Sequence, residues 1–363
     1  MKLPRMQDAE VWGKRVFVRA DLDVPLAQSS TVHNLQLTID DDTRLRAALP
    51  TIEYLLNNEA TVIVAGHLGR PQKKFQISNE DKQFSLEPVA AWFFEQFKIQ
   101  NKEFMMHPTT LGEFAGWELD ERLFVLENLR FYEGEETNDL SFAKKLASLA
   151  DIYVNDAITV AHRNHASVVG IAKLLPYYCG LHLQKEVSVL RSVLDNPKRP
   201  LVVIIGGAKA ETKLPLIEKM QHLADYVLVG GKLPIGIQNS EFRIQNSNES
   251  KLVIADLTSD ETDISWSSVE RFKEVIGKAA LIVWNGPLGL IREDSIDSEK
   301  GTREVANAIA ASNAYKIVGG GDTIDYLKRL GILSKFDFVS MGGGAMLAFL
   351  SGEKLPGLEA LTI

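Results

Sequence analysis

Ten short runs rich in β-branched and other apolar residues punctuate the chain, alternating with amphipathic stretches of helical length. That alternation is the pattern of βα units, and it commits the chain to parallel sheets whose crossover connections are helices. In the first half the runs are RVFVRADLDVP (15–25), TVIVAGHLGRP (61–71), LFVLENLRF (123–131) and DIYVNDAIT (151–159). In the second half they are LVVIIGG (201–207), YVLVGG (226–231), LVIADL (252–257), LIVWNGPLG (281–289), YKIVGGGD (315–322) and FDFVSMGGGA (336–345). Several are apolar on both faces, as strands covered by helices on each side must be. Between them, DDTRLRAALPTIEYLLNN, LEPVAAWFFEQFK and LSFAKKLASLA carry helical periodicity. Since 363 residues exceed what one core usually supports, an α/β fold of two doubly wound parallel sheets is expected. The segment LHLQKEVSVLRSVLDNPKRP (181–200) reads as a joining helix ending at Asn-Pro, and the polar QNSEFRIQNSNES (238–250) as a surface loop.

Bulk properties narrow the class of function. A chain with 45% apolar and 24% charged residues has the composition of a globular protein, and a formal net charge of −8 argues against a nucleic-acid partner. No run approaches the roughly 18 apolar residues that span a bilayer. The first residues, MKLPRMQDAEVWGKR, carry charges throughout and have no apolar core of the signal-peptide kind. Cys179 stands alone, which excludes an internal disulfide and suits a reducing compartment. These features lead us to expect a cytoplasmic protein with neither membrane nor nucleic-acid partners.

In open parallel sheets ligands bind beyond the carboxyl ends of the strands, and the two halves differ there. The first half places Arg19, Asp21, His67, Arg70, Arg130, His162, Arg163 and His165 after its runs, while the second half places glycines: 206–207, 230–231, 286, 289, 319–321 and 342–344. Arginine offers a planar fork of donors suited to carboxylate and phosphate. Glycine lets backbone N–H groups approach a polyphosphate closely. LVVIIGGAKAETKLP (201–215) adds Lys209 and Lys213, four apart at a helix start, where two cations are unfavourable unless an anion sits between them. Taken singly, an arginine is more often a surface ion-pair partner and Gly-Gly only a turn; their segregation into different halves is what points to an anionic acceptor on one domain and a nucleotide on the other. Phosphoryl transfer suits such a pair, because it needs positioning and charge neutralisation more than a covalent nucleophile. The chain has no G-x-x-x-x-G-K-[ST], no H-E-x-x-H, no cysteine-rich metal spacing and no G-x-S-x-G.

The stretches VRADLDVP (18–25), DDTRLRAALPTI (41–52), GHLGRP (66–71), LENLRFYEGEE (126–136), ADIYVNDA (150–157), AHRNHAS (161–167), GGAKAETK (206–213), VWNGPLG (283–289), VGGGDT (318–323) and SMGGGA (340–345) resemble, in order, the motifs of the phosphoglycerate kinase family. The resemblance implies two Rossmann-like domains, 1–175 and 198–351, joined by an interdomain helix at 181–197, with residues 352–363 returning to the first domain. It implies a monomer that transfers a phosphoryl group reversibly between MgATP and 3-phosphoglycerate, giving 1,3-bisphosphoglycerate and ADP. By position, Asp21, Asp23, Arg44, His67, Leu68, Gly69, Arg70, Arg130 and Arg163 would hold the acceptor. Arg44 and Lys209 would neutralise the phosphoryl group in flight, with Gly343 and Gly344 offering backbone N–H groups at a helix start. Gly207, Ala208, Lys213, Gly231, Asn285, Pro287, Gly320, Gly321, Asp322 and Thr323 would line the nucleotide site, and Asp322 would help hold Mg2+.

The chain departs from the family pattern at identifiable places. Asp23 stands where the family has asparagine, setting a carboxylate beside an anionic substrate. Ile158 and Thr159 replace an aromatic residue and a glycine. Lys232 interrupts the family's Gly-Gly-Gly-Met turn, the interval from Gly230 to Trp284 is short, and Arg292 falls where a glutamate would accept from the ribose. Met341 and Ala348 replace a threonine and an acid. These departures leave a second reading open, in which a protein of the same fold holds phosphoglycerate or nucleotide with little or no turnover.

Overall fold

A computed structural model describes residues 3–31, 34–71, 81–97, 105–238, 251–291 and 299–362. The loop expected at 238–250, but for residue 238, and Arg292 lie outside them. The chain divides into two compact units, Met1–Val187 with Leu355–Ile363 and Ser188–Lys354.

The strands of the first unit are β1 (Arg15–Arg19), β2 (Leu26–Thr31), β3 (Asn34–Ile39), β4 (Thr61–Ala65), β5 (His107–Leu111), β6 (Phe114–Asp120), β7 (Leu123–Leu126), β8 (Ile152–Asn155) and β9 (Tyr177–Cys179). Seven of them form one sheet in the order β5-β6-β7-β4-β1-β8-β9. From β7 to β9 all neighbours are parallel, whereas β6 runs antiparallel to both β5 and β7. Strand order reverses between β1 and β8, so the crevice for a ligand opens at their carboxyl ends. The helices are α1 (Thr43–Asn57), α2 (Glu87–Phe97), α3 (Glu133–Glu136) and α4 (Leu140–Ala147). Val16, Val18, Val62 and Val64 bury one sheet face against Leu45, Ile52, Leu55, Val89 and Phe93 from α1 and α2. Each such side chain contributes about 1.5–3 kcal/mol on leaving water.

Helix α5 (Leu181–Asp195) crosses the division between the units. It starts where Thr51 Oγ1 accepts from the Leu181 N–H at 2.9 Å and Asp156 Oδ1 from the Leu183 N–H at 3.0 Å, satisfying donors that lack intrahelical partners. It stops at Asp195, ahead of Asn196 and Pro197, because the residue before a proline avoids helical backbone.

The second unit is one sheet of six parallel strands, β10 (Leu201–Ile205), β11 (Tyr226–Val229), β12 (Lys251–Ile254), β13 (Leu281–Asn285), β14 (Tyr315–Gly319) and β15 (Phe338–Ser340). Their order, β12-β11-β10-β13-β14-β15, is the dinucleotide-fold order 3-2-1-4-5-6, with its switch point between β10 and β13. Helices α6 (Ala210–Leu223), α7 (Leu233–Gln238), α8 (Trp266–Ile276), α9 (Lys300–Ala311), α10 (Gly321–Arg329) and α11 (Gly344–Ser351) follow the strands, and α12 (Pro356–Glu359) lies in the segment returning to the first unit. Alternation along β10 shows the double winding. Leu201, Val203 and Ile205 pack with Leu216, Ile217 and Met220 of α6, while Val202 and Ile204 pack with Val269 and Phe272 of α8 and Val305 and Ile309 of α9. No described helix is long and apolar enough to cross a membrane.

All ten runs contain strands. The antiparallel pairs β2/β3 and β5/β6 and the three-residue β9 were not expected. LAQSST and HPTTL are polar and carry little apolar alternation, so their pairing is fixed by partner strands and not by their own composition.

Candidate functional site

Each unit carries its own constellation beyond the carboxyl ends of its parallel strands. In the first unit, Asp21 and Asp23 follow β1, residues 67–70 follow β4, Arg130 follows β7, and Arg163 follows β8. Arg44 joins them from the start of α1 by donating to the Asp23 carbonyl oxygen.

Beneath this cluster lies a buried chain of hydrogen bonds. Arg19 is fully buried, and its Nε donates to Ser167 Oγ at 3.0 Å. The Ser167 hydroxyl donates onward to Glu135 Oε1 at 2.6 Å, and its N–H to Oε2 at 3.0 Å. Burial pushes the Glu135 carboxyl up, opposed by the Arg19 charge. A second nitrogen of Arg19 lies 2.9 Å from His67 Nδ1. Guanidinium has only donors, so Nδ1 must accept and the ring proton sits on Nε2. Burial first, and the charges of Arg19 and Arg130 next, hold His67 well below the usual imidazole range. His165, 3.6 Å from Glu135, is pushed down to about 3, by burial and by Arg19, Arg130 and Arg163. His67 is therefore a neutral donor at pH 7, with Nε2 3.8 Å from Asp23 Oδ2.

The charged residues above this chain are tied down individually. Asp21 is 3% exposed, with Oδ2 accepting from the Thr159 N–H at 3.1 Å and Oδ1 from the Thr159 hydroxyl. Asp23 Oδ1 accepts the Gly69 N–H at 2.8 Å, and Oδ2 lies 3.7 Å from the Arg44 guanidinium. Arg130, mostly buried and pushed down by that burial, donates to Gly69 O at 2.7 Å. Asn128 fixes the loop after β4 by donating to Leu68 O at 2.7 Å and Phe84 O at 2.9 Å. Leu68 is buried, whereas Arg70 and Arg163 reach into solvent. The first unit thus brings Asp23, Arg44, His67, Gly69 and Arg130 together, with Asp21 held separately by Thr159 and Arg70 and Arg163 exposed on the loops after β4 and β8. Glu135, Ser167 and Asn128 support it, and sequence reasoning gave none of them a role. Glu135 sits in the acidic run YEGEE, where nothing local separates the one buried carboxylate from its solvated neighbours.

In the second unit the switch point is built by backbone. Gly206 N–H donates to Asn285 O at 2.9 Å and Gly207 N–H to Pro287 O at 2.7 Å, closing the loops after β10 and β13 on each other. A Cβ on Gly206 would lie closer than 3.0 Å to Pro287 O and Gly286 O, so only glycine fits this approach. Gly231 N–H donates to Leu288 O at 2.8 Å and Lys232 N–H to Gly207 O at 3.0 Å, which brings in the turn after β11. Thr323, fully buried in α10, accepts the Gly286 N–H at 3.0 Å.

Lys209 and Lys213 do not share a helical face. Lys209 precedes α6 with extended backbone and is exposed, whereas Lys213 is 9% exposed and donates to Asn285 Oδ1. Burial pushes the Lys213 ammonium down to about 8, with Asp322 acting in the opposite direction. Gly320 lies against the Asn285 side chain, and Asp322 is exposed in the first turn of α10. Gly343 and Gly344 begin α11, where N–H groups have no intrahelical acceptor; Gly342 instead donates to Ser340 Oγ at 3.2 Å. Ala208 is exposed between the Gly206-Gly207 turn and α6.

Among the described residues no group of three or more His, Cys, Asp or Glu side chains could enclose a metal ion. A single exposed carboxylate in the first turn of α10, Asp322, fits a magnesium ion that keeps most of its ligands from water and phosphate oxygens.

A family model described as phosphoglycerate kinase matches residues 6–255 and 236–353. Phosphoglycerate kinase of Coprothermobacter proteolyticus is 36% identical over 408 aligned positions, covering all of both chains. That of Desulforudis audaxviator is 38% identical over 403 positions, covering 98% of each. Among solved structures, phosphoglycerate kinase from Coxiella burnetii superposes with a TM-score of 0.78 at 30% identity, over 99% of both chains. The enzyme from Pyrococcus horikoshii gives 0.77 at 27% identity, over 99% of this chain and 98% of its own.

Proposed function

We propose how this chain, which belongs to the phosphoglycerate kinase family, divides its reaction between its two units. It is a phosphotransferase with a carboxyl group as acceptor, moving a phosphoryl group reversibly between ATP and 3-phosphoglycerate to give 1,3-bisphosphoglycerate and ADP. The observation that carries the assignment of roles is the segregation of Arg44, His67, Arg70, Arg130 and Arg163 to one sheet and of glycine turns with Lys209 and Lys213 to the other. Nothing in the comparisons favours a binding protein without turnover.

In this reading a carboxylate oxygen of 3-phosphoglycerate attacks the terminal phosphorus of ATP. The new O–P bond forms as the bond to the bridging oxygen breaks, and ADP leaves with those electrons. The nucleophile is already ionised at pH 7, so no general base is needed. A neutral His67 that donates through Nε2 suits that chemistry. The arginines of the first unit hold the acceptor's phosphate and carboxylate by charge-assisted hydrogen bonds, and Asp21 accepts from its hydroxyl. Turns at Gly207, Gly231, Pro287, Gly320 and Gly321 admit the nucleotide phosphates to within reach of N–H groups and of Lys213. Lys209 and Arg44 act on the group in transit, and Gly343 and Gly344 supply N–H donors there. Asp322 would hold Mg2+, which when bound neutralises phosphate charge; ATP and ADP then enter as magnesium complexes. The units correspond to an acceptor domain completed by the returning C-terminal segment, a joining helix α5 and a nucleotide domain. A cytoplasmic monomer completes the reading, and a single buried cysteine without a disulfide suits the reducing compartment it names.

The test is a coupled assay with 3-phosphoglycerate, MgATP and a dehydrogenase that consumes 1,3-bisphosphoglycerate. Lys209→Ala is expected to lower kcat on the order of a hundredfold or more while changing KM little, because the group acts in the transition state. Folded wild-type protein without turnover would overturn the reading, and a mutant with normal kcat would overturn the role of Lys209.

A further inference from the structure

We infer that Asp23 is an internal anion that occupies the acceptor site's own donors and must be displaced or outcompeted when 3-phosphoglycerate binds. The inference rests on the acceptor reading above and concerns a residue at which the chain departs from its family. One oxygen of Asp23 accepts the Gly69 N–H at 2.8 Å, and the other lies 3.7 Å from the Arg44 guanidinium and 3.8 Å from His67 Nε2. Arg44 is held twice, since it also donates to the Asp23 backbone carbonyl. The Asp23 charge acts on Arg130 as well. One carboxylate thus engages, or lies beside, four of the groups that would receive the acceptor's carboxylate and phosphate.

A carboxylate here has two effects on an anionic ligand, and both weaken binding. It repels the ligand directly, and it satisfies donors that the ligand would otherwise use. The Asp23 side chain is 38% exposed and Arg44 35%, so the pair is partly screened and the arrangement can open without leaving a buried charge. Asparagine at this position would keep an oxygen for the Gly69 N–H while removing the charge and the second acceptor oxygen beside Arg44 and His67, so Asp23→Asn releases those two donors and preserves the Gly69 contact.

The experiment is calorimetric titration of 3-phosphoglycerate into wild type, Asp23→Asn and Asp23→Ala at about 20 and 500 mM salt, with ADP titrations as the control. Asp23→Asn is expected to bind 3-phosphoglycerate on the order of ten-fold more tightly at low salt, with a smaller gain at high salt and an unchanged ADP affinity. Asp23→Ala removes the charge and also frees the Gly69 N–H for the ligand, so it should gain at least as much. Equal or weaker binding by Asp23→Asn with an unaltered unfolding curve would overturn the inference while leaving the acceptor reading in place. Absence of binding to all three proteins would overturn the acceptor reading and the inference with it.

Discussion

Lys213 shows how much a single residue's chemistry depends on what surrounds it. Its ammonium is buried against Asn285, and burial brings its pKa down to about 8. A cation whose folded pKa is lowered loses its proton as pH rises through that value, and a bound phosphate pulls the proton back. ADP binding should therefore take up a proton above pH 8, and affinity should weaken several-fold between pH 7 and 9. Lys213→Met should bind ADP more weakly at pH 7 and lose that pH dependence; calorimetry in buffers of different ionisation enthalpy reads both, and a wild type with pH-independent affinity would refute the assignment. Two lysines at a helix start were legible as cations awaiting an anion. Their different fates were not, because the partner that buries one of them lies 72 residues away. Asp23 was legible as a charge in the wrong place; its partners Arg44 and Gly69, 21 and 46 residues distant, were not.

At the scale of elements, the fold is readable wherever an element's own pattern decides its structure. Strands β10 and β13 are apolar on both faces, and no other arrangement buries such runs. The β5/β6 pair depends on neighbours, and its sequence is silent about them. The glycines between β10 and β13 belong to both classes: their position marks a turn, while the contact that demands them appears only when two loops close on each other. Gly206→Ala should destabilise the protein by about 1–3 kcal/mol or more, since a methyl group there meets carbonyl oxygens that cannot move aside. At Gly321, in the first turn of α10, a Cβ would meet nothing within 4 Å, so Gly321→Ala should change stability by less than about 1 kcal/mol. Urea unfolding of the two variants checks the contrast, and equal losses would contradict the assigned approach of the loops. Activity should separate from stability in Gly321→Ala if its N–H group serves a phosphate.

For the whole molecule, the proposed division of an acceptor on one unit and a nucleotide on the other requires both ligands to meet with water excluded, since acyl phosphates hydrolyse. Small-angle scattering should report a smaller radius of gyration with both 3-phosphoglycerate and MgADP than with either alone; curves unaffected by the pair would refute closure. The alternation of strand and helix made two sheets foreseeable, and the resemblance implied a returning segment. Composition alone would not have told that Leu355–Ile363 belongs with the first unit, because PGLE is an unremarked helical turn until Gly357 donates to Ala161 O at 2.8 Å. A Cβ on Gly357 would crowd Val168 and the Ala161 backbone, and Leu355, Leu358 and Leu361 are buried. Translation therefore meets an inverted schedule. The half of the protein that leaves the ribosome first waits for residues made after the other half is already in place. Until they arrive, Ala161 and Val168 lack the segment that packs on them, and the nascent chain is open to a chaperone for the time needed to synthesise the second unit.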